Sequence, residues 1–398
     1  MPRESEEVWR YTPINDLVLD DYVPAAPESG GPEGEALVEA VAATLGPLAG
    51  HVLVRNGYPG ECSISAEGAA FGFGRVDEVP DAQSMVGSVQ RDGDALVRLN
   101  DAYQADAVLL DVPDGVAVEL PFLVVHWCDQ AGAAIFPRTV VRLGANAQAA
   151  VVELYAGPRS GERSLVVPVT ELSAGNNSSL SYVSLQNLND AAWSLARLAA
   201  RGSNDARVRT FTVGLGGDYD RVRVDVSAEG RGASSEILSA YLGNGTQVHD
   251  VRTLQDHVAP RTQSELLCEG AVAGSSRSVY SGLIRVHRGA VRTDARQTNH
   301  NLVLDEGAHA DSVPNLDILE NDVKCSHAST VGPIDEDQRY YIESRGIAPE
   351  VAEGLIVRGF FNAIIERSPV PAAIPLLRRE VHERLDLALL NRRVTANV

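Results

Sequence analysis

One short segment of the 398-residue chain holds residue types that could do chemistry at close spacing: Asp322-Val323-Lys324-Cys325-Ser326-His327. Cys325 and His327 are two apart. On a strand, alternate side chains share a face, so the two fall on one face about 7 Å apart along the backbone. A thiolate and an imidazole so placed can grip a soft or borderline metal such as iron or zinc. Two donors are too few to close a site, so a partner chain has to supply the rest. The competing reading is a partly buried thiol beside a hydrogen-bonded imidazole. His126 and Cys128 repeat the spacing in reverse order and read as core packing. Cys268, in the apolar run Leu266-Leu267-Cys268-Glu269, reads as a small core residue. Cys62 falls in a turn-rich loop. His249, His257, His287, His300 and His309 read as surface or ladder residues.

Other chemistries lack their motifs. There is no G-x-x-x-x-G-K-[ST] phosphate loop, and Gly72-Phe73-Gly74 lacks the later glycine of a dinucleotide fingerprint. Neither a G-x-S-x-G elbow nor H-E-x-x-H occurs. The four cysteines form no C-x-x-C pair, which speaks against a self-contained zinc site or a redox dithiol. With 54 Asp and Glu against 34 Lys and Arg, the formal charge is -20. Carboxylate pairs therefore carry no weight as acid–base candidates, and the chain lacks the basic face that nucleic acid needs. A content of 44% hydrophobic and 22% charged residues is that of a globular chain. No apolar run reaches the ~18 residues of a membrane helix. The first residues lack an apolar signal core, so the expectation is a cytoplasmic protein with reduced thiols.

The elements that must position Cys325 and His327 follow from periodicity. Residues 1–112 read as a mixed α/β N-terminal domain, with a helix over Glu35 to Leu45, a strand over His51 to Gly57 and a helix over 93–110. From Val116 to 327 the period becomes two, as in Val116, Val118, Leu120, Phe122 and Val124, or Val222, Val224 and Val226. About ten strands are expected there, with one helical interruption at 189–201 around Trp193, Leu195 and Leu198. Pattern alone leaves sandwich, barrel and solenoid open. Glycine corners without clear Asn-Gly hairpin pairs, except at Gly243-Asn244-Gly245, and polar runs such as Gln297, Asn299 and Asn301 favour stacked coils. After 330 the helical period returns over Asp335 to Ser344, Pro349 to Arg367 and Leu376 to Val394. Val351, Leu355, Ile356, Phe360, Ala363 and Ile364 make one stripe of the second. Its Gly354 and Gly359 suggest a backbone packed close by.

Several ordered segments resemble the SufB/SufD family of iron–sulfur cluster assembly proteins. They are Ser278-Val279-Tyr280-Ser281-Gly282-Leu283-Ile284, Thr293 to Leu302, Ala310 to Leu316, Asp322 to His327, Tyr340 to Ile347, and Gly359-Phe360. Glu7-Val8-Trp9-Arg10-Tyr11-Thr12 resembles the N-terminal signature of the SufD branch. The short chain and the Lys324-Cys325-Ser326-His327 block also favour that branch over SufB. Ala328 departs from the family, in which a Gly follows the His; Ala is tolerable there unless the position needs positive φ.

The resemblance implies a mainly β fold: a right-handed parallel β-helix over 113–330, the N-terminal α/β domain, and a C-terminal helical domain over 331–398. It implies a non-enzymatic scaffold that pairs with a SufB-like paralogue and docks a SufC-like ABC ATPase through its C-terminal helices. Cys325 and His327 would share a transient iron–sulfur cluster with the partner. Arg345, Gly346, Leu355 and Phe360 would serve ATPase docking. Flavin would join through the complex, and a homodimer is allowed without SufB. A secreted-type β-helix enzyme and a stand-alone metal-binding homodimer are the alternatives.

Overall fold

The computed structural model describes residues 6, 9–27, 30–65, 70–79, 82–90, 94–159 and 161–395; Glu7, Val8 and residue 93 lie outside them. Two sheets carry the fold, one of twelve strands and one of eleven. Each coil sends one strand to each sheet. Tyr219–Ala228 is followed by Ser234–Gly243, and Val248–His257 by Gln263–Val272. Arg277–Val286 is followed by Asp294–Val303, and His309–Ile318 by Lys324–Gly332. Neighbouring strands in these coils pair in parallel, so Thr212, Ser239, Cys268, Asn299 and Ser329 stand in one row. The result is a mainly β protein with a parallel solenoid core of about eight turns and helices at both ends.

The corners explain why the strands stack into coils instead of folding back as hairpins. Asn146, Asn177, Asp205, Gly232, Arg261 and Arg292 occupy the same corner of successive coils, all with left-handed backbone. Each N–H in this column donates to a carbonyl of the next coil's corner, as in Asn177 N to Asn204 O at 2.8 Å and Arg261 N to Val291 O at 2.8 Å. Asn and Asp tolerate this conformation. At Arg261 and Arg292 it costs about 1 kcal/mol each. A corner that bonds upward leaves no turn bond to close a hairpin.

The solenoid is packed on its outside as well as its inside. Helix α1 (Glu33–Leu45) and helix α2 (Ala95–Tyr103) precede the core. Gly50–Arg55 and Val108–Val112 extend the two sheets in parallel beyond Phe122–Trp127 and Arg138–Leu143. At the other end come α3 (Glu336–Glu343), α4 (Pro349–Ile365) and α5 (Ile374–Thr395). Val357, Phe361, Leu377, Val381 and Leu385 bury against Leu185, Phe211 and Leu238 on the outer face of the eleven-stranded sheet. Trp9, Ile14 and Leu17 cover Trp193, Leu195 and Tyr219 on the other sheet, and the Arg221 guanidinium lies 3.8 Å from the Trp9 ring.

This double packing accounts for the differences from the sequence reading. Residues 193–202 are a strand, not a helical interruption. Trp193 and Leu195 face the N-terminal segment while Leu198 and Ala200 face the interior. A strand buried on both faces loses its alternation. The helix expected over 93–110 ends at Tyr103, and Val108–Val112 enters a sheet instead. The strand expected from Val116 begins at Phe122; Pro121 has no N–H to pair. On α4 the buried face is Ala352, Val357, Phe361 and Ile364, whereas Val351 and Leu355 are exposed. Gly354 faces Leu389 Cδ1, a side chain and not a backbone, and Gly359 faces open space.

Candidate metal centre at the open end of the solenoid

The two sheets end on His309–Ile318 and Lys324–Gly332, each with a single hydrogen-bonded neighbour. Their outer edges therefore present rows of N–H and C=O groups with no strand beyond them. Cys325 stands above Ala295, His327 above Gln297, Ser329 above Asn299 and Val331 above Asn301. The four residues beneath are buried, which marks this as the inward-facing set. Cys325 packs toward Ile284, Val286, Ala290 and Ala295. The Ser329 hydroxyl donates to Ser312 Oγ at 2.6 Å. His327 lies between Cys325 and Ser329 at the same parity and so shares their face.

Among the described residues, no further coil covers this face. His327 is exposed and Cys325 half-buried. Around them, Leu316, Ile318, Leu319 and Val331 expose 40%, 37%, 52% and 43% of their surface. The last coil is thus patterned as interior but placed at the surface. Ala328 does not have a left-handed backbone, so its Cβ brings no strain there.

Electrostatics at the rung oppose a free thiolate. Burial raises the Cys325 thiol above its ordinary value, the Asp294 carboxylate adds to this, and the Ala295 backbone hydrogen bond works against both. Near neutral pH the sulfur keeps its proton, which any metal bound there would have to displace. Among the described residues, no group of three or more His, Cys, Asp or Glu side chains is gathered for a metal ion. Cys325 and His327 offer two possible donors and no third beside them among the described residues.

The remaining cysteines and histidines are placed otherwise. Cys128 and Cys268 are buried, and burial pushes both thiols up to about 12. His126 is buried with Nε2 2.6 Å from Glu153 Oε1, and Glu153 also accepts from Thr139, Thr170 and Tyr182. His257 is held by the Thr262 and Ser264 hydroxyls, and its burial lowers its pKa to about 4. These are interior polar contacts of stacked coils.

Arg345 and Gly346 form the turn between α3 and α4. Arg345 donates to Tyr341 O at 3.2 Å and its guanidinium lies 3.6 Å from the Tyr341 ring. Gly346 has φ +84° and donates to Glu343 O at 2.9 Å. Leu355 is exposed, while Phe360 is half-buried with its ring 5.3 Å from that of Phe361. Tyr340 and Tyr341 on α3 are exposed as well, which periodicity did not single out. Sequence reasoning also missed the polar floor under the open rung, made by Gln297, Asn299, Asn301 and Tyr241. Its signal was the alternation Gln297, Asn299, Asn301, read above only as a sign of stacking.

Comparison with known proteins places this architecture. The family model described as "SUF system FeS cluster assembly, SufBD core domain" matches residues 126–360, more than half of the chain. An iron–sulfur cluster assembly SufBD family protein of Mycobacterium leprae is 41% identical over 193 residues, 46% of this chain and 47% of its own length. The match thus spans about half the length of the mycobacterial relatives. The iron–sulfur cluster assembly protein SufD of Escherichia coli is 27% identical over 371 residues, covering 92% of this chain and 85% of its own. Its Bacillus subtilis counterpart is 28% identical over 289 residues, covering 72% and 66%. With the core-domain match laid over the coils that carry Cys325 and His327, the chain belongs to the SufBD family.

Proposed function

We propose that the chain is a non-enzymatic scaffold subunit in iron–sulfur cluster assembly. Its open end would join the matching end of a SufB-like paralogue, edge strand to edge strand. Cys325 and His327 would then hold a nascent cluster, as cargo, together with donors from the partner. The observation that carries this reading is a thiol and an imidazole on the inward face of a rung that has no coil above it. Partner strands would satisfy the open edges and cover the apolar rim.

The C-terminal helices, within the domain assigned to 331–398, would dock a SufC-like ABC ATPase. Exposed Tyr340, Tyr341 and Leu355, with the turn at Arg345 and Gly346, support that placement. Flavin would be taken up by the assembled complex, and no residue of this chain is assigned to it. No described helix is long and apolar enough to cross a membrane; the working place proposed is the cytoplasm. Without a SufB-like chain, the same end would accept a second copy.

Co-expression with SufB-like and SufC-like chains tests the reading. The expected result is a three-component complex whose iron and sulfide content after anaerobic reconstitution falls with His327→Ala, while assembly is kept. An unchanged cluster yield would remove His327 from the site. Tight iron binding by this chain alone would favour storage by a homodimer.

A further inference from the structure

We propose that Gln297 is a positioning residue for the His327 imidazole. This rests on reading Cys325 and His327 as cluster ligands. Gln297 is the in-register neighbour of His327 on the preceding rung, on the same inward face. Adjacent strands lie about 4.8 Å apart, so an amide and an imidazole in one row can reach each other. Gln297 is 1% exposed, yet neither Oε1 nor Nε2 has a hydrogen-bond partner among the described residues. Buried amides are almost always paired, so this one is kept for a group the isolated fold does not fix.

Its surroundings are built to leave the amide free. A Cβ at Gly282 would crowd Gln297 Nε2 and the Tyr280 hydroxyl, so any larger residue there would have to push one of them aside. The neighbouring floor groups are engaged elsewhere. Asn299 donates to Cys268 O at 3.2 Å, and Asn301 donates to Asn299 Oδ1 at 2.8 Å. Of the three floor amides on this strand, Gln297 is the one left without a partner among the described residues, and it stands in register beneath His327. Its Oε1 accepts the N–H of one ring nitrogen, which fixes the tautomer and leaves the lone pair of the other nitrogen for metal.

The test uses the full-length chain with ¹⁵N-labelled histidine and Co²⁺ as the metal probe. Long-range ¹H–¹⁵N spectra, assigned with His327→Ala, report the His327 tautomer. The cobalt–thiolate band reports affinity. Wild type is expected to show one dominant tautomer. Gln297→Met should mix the tautomers and weaken Co²⁺ binding about 10- to 100-fold. Gln297→Glu, which keeps an acceptor oxygen, should hold the wild-type tautomer. Unchanged tautomer and affinity in Gln297→Met overturns the proposal, as does a switched tautomer in Gln297→Glu should the Met variant not fold. If His327→Ala itself leaves Co²⁺ affinity unchanged, the ligand reading falls, and the tautomer still decides whether Gln297 bonds the ring.

Discussion

Ser329 and Ser312 face each other across the mouth of the last coil, hydroxyl to hydroxyl at 2.6 Å, in the open. One rung deeper, the same two rows hold Asn299 and Tyr280, both sealed. The mouth therefore repeats the interior's pattern without the interior's cover. A chain that ended its own fold there would place charges or a capping helix across it. Here the rim is leucine, isoleucine and valine.

Charging that rim separates pairing from folding. Leu316→Lys with Val331→Lys leaves the secondary structure and melting temperature close to wild type, since both side chains are already exposed. If this end is the pairing surface, the double variant should fail to co-elute with a SufB-like chain in size-exclusion chromatography. A complex that persists at wild-type yield would remove the open end as the pairing surface.

The helical layer offers a similar contrast. Phe361 is fully buried between α4 and the solenoid, so Phe361→Ala costs about 3–5 kcal/mol in urea unfolding. Leu355 is exposed on the same helix, so Leu355→Asp should cost little stability and, if this face docks an ATPase, should instead reduce capture of a SufC-like chain. Phe360 serves poorly for this purpose, because its ring rests on Phe361 and its loss would blur docking with unfolding.

How far the sequence spoke depends on whether one face or two were buried. Val222, Val224 and Val226 announced their strand because Arg221, Arg223 and Asp225 alternate with them. Residues 193–202 did not, because Trp193 and Leu195 are covered by the N-terminal segment from far along the chain. The same holds for α4, where the choice between Leu355 and Val357 as the buried residue is made by the sheet beneath. Cys325 and His327 were legible as a pair because strand geometry alone sets their shared face. That the face opens at the end of a rod was not, since nothing local records that no coil follows. The left-handed corner column was hidden as well, because Arg261 and Arg292 do not look like corner residues.

That column can be probed at Asn177. Its left-handed backbone suits Asn, and its Nδ2 donates to Asn146 Oδ1 at 2.8 Å on the preceding coil. Asn177→Ala loses the bond and gains backbone strain, for about 1–2 kcal/mol in all. Asn177→Gly loses only the bond. Equal stability of the Ala and Gly variants in urea unfolding would show that the corner imposes no backbone demand.

Glu269 gives the fold a pH dependence. It lies on the outer face beneath the helical layer, in the row of Ala240 and His300, and is 7% exposed. Its Oε2 has no hydrogen-bond partner among the described residues, and His300 Nδ1 is 3.8 Å from Oε1, too far to bond. Arg367 offers weak relief because it is engaged by Glu236 and Glu265, each at 2.8 Å. Burial thus raises the Glu269 carboxyl from 4.5 to about 7, against the pull of Arg367. Between these values the folded chain holds a proton that the unfolded chain has released, so stability falls as pH rises and levels off above about 7. The loss is on the order of 3 kcal/mol. Glu269→Gln removes the titration, so urea unfolding should find the variant more stable than wild type at pH 8.5, with the advantage shrinking steadily toward pH 5. A constant difference across that range would mean that Glu269 ionises in the folded protein as easily as in the unfolded one.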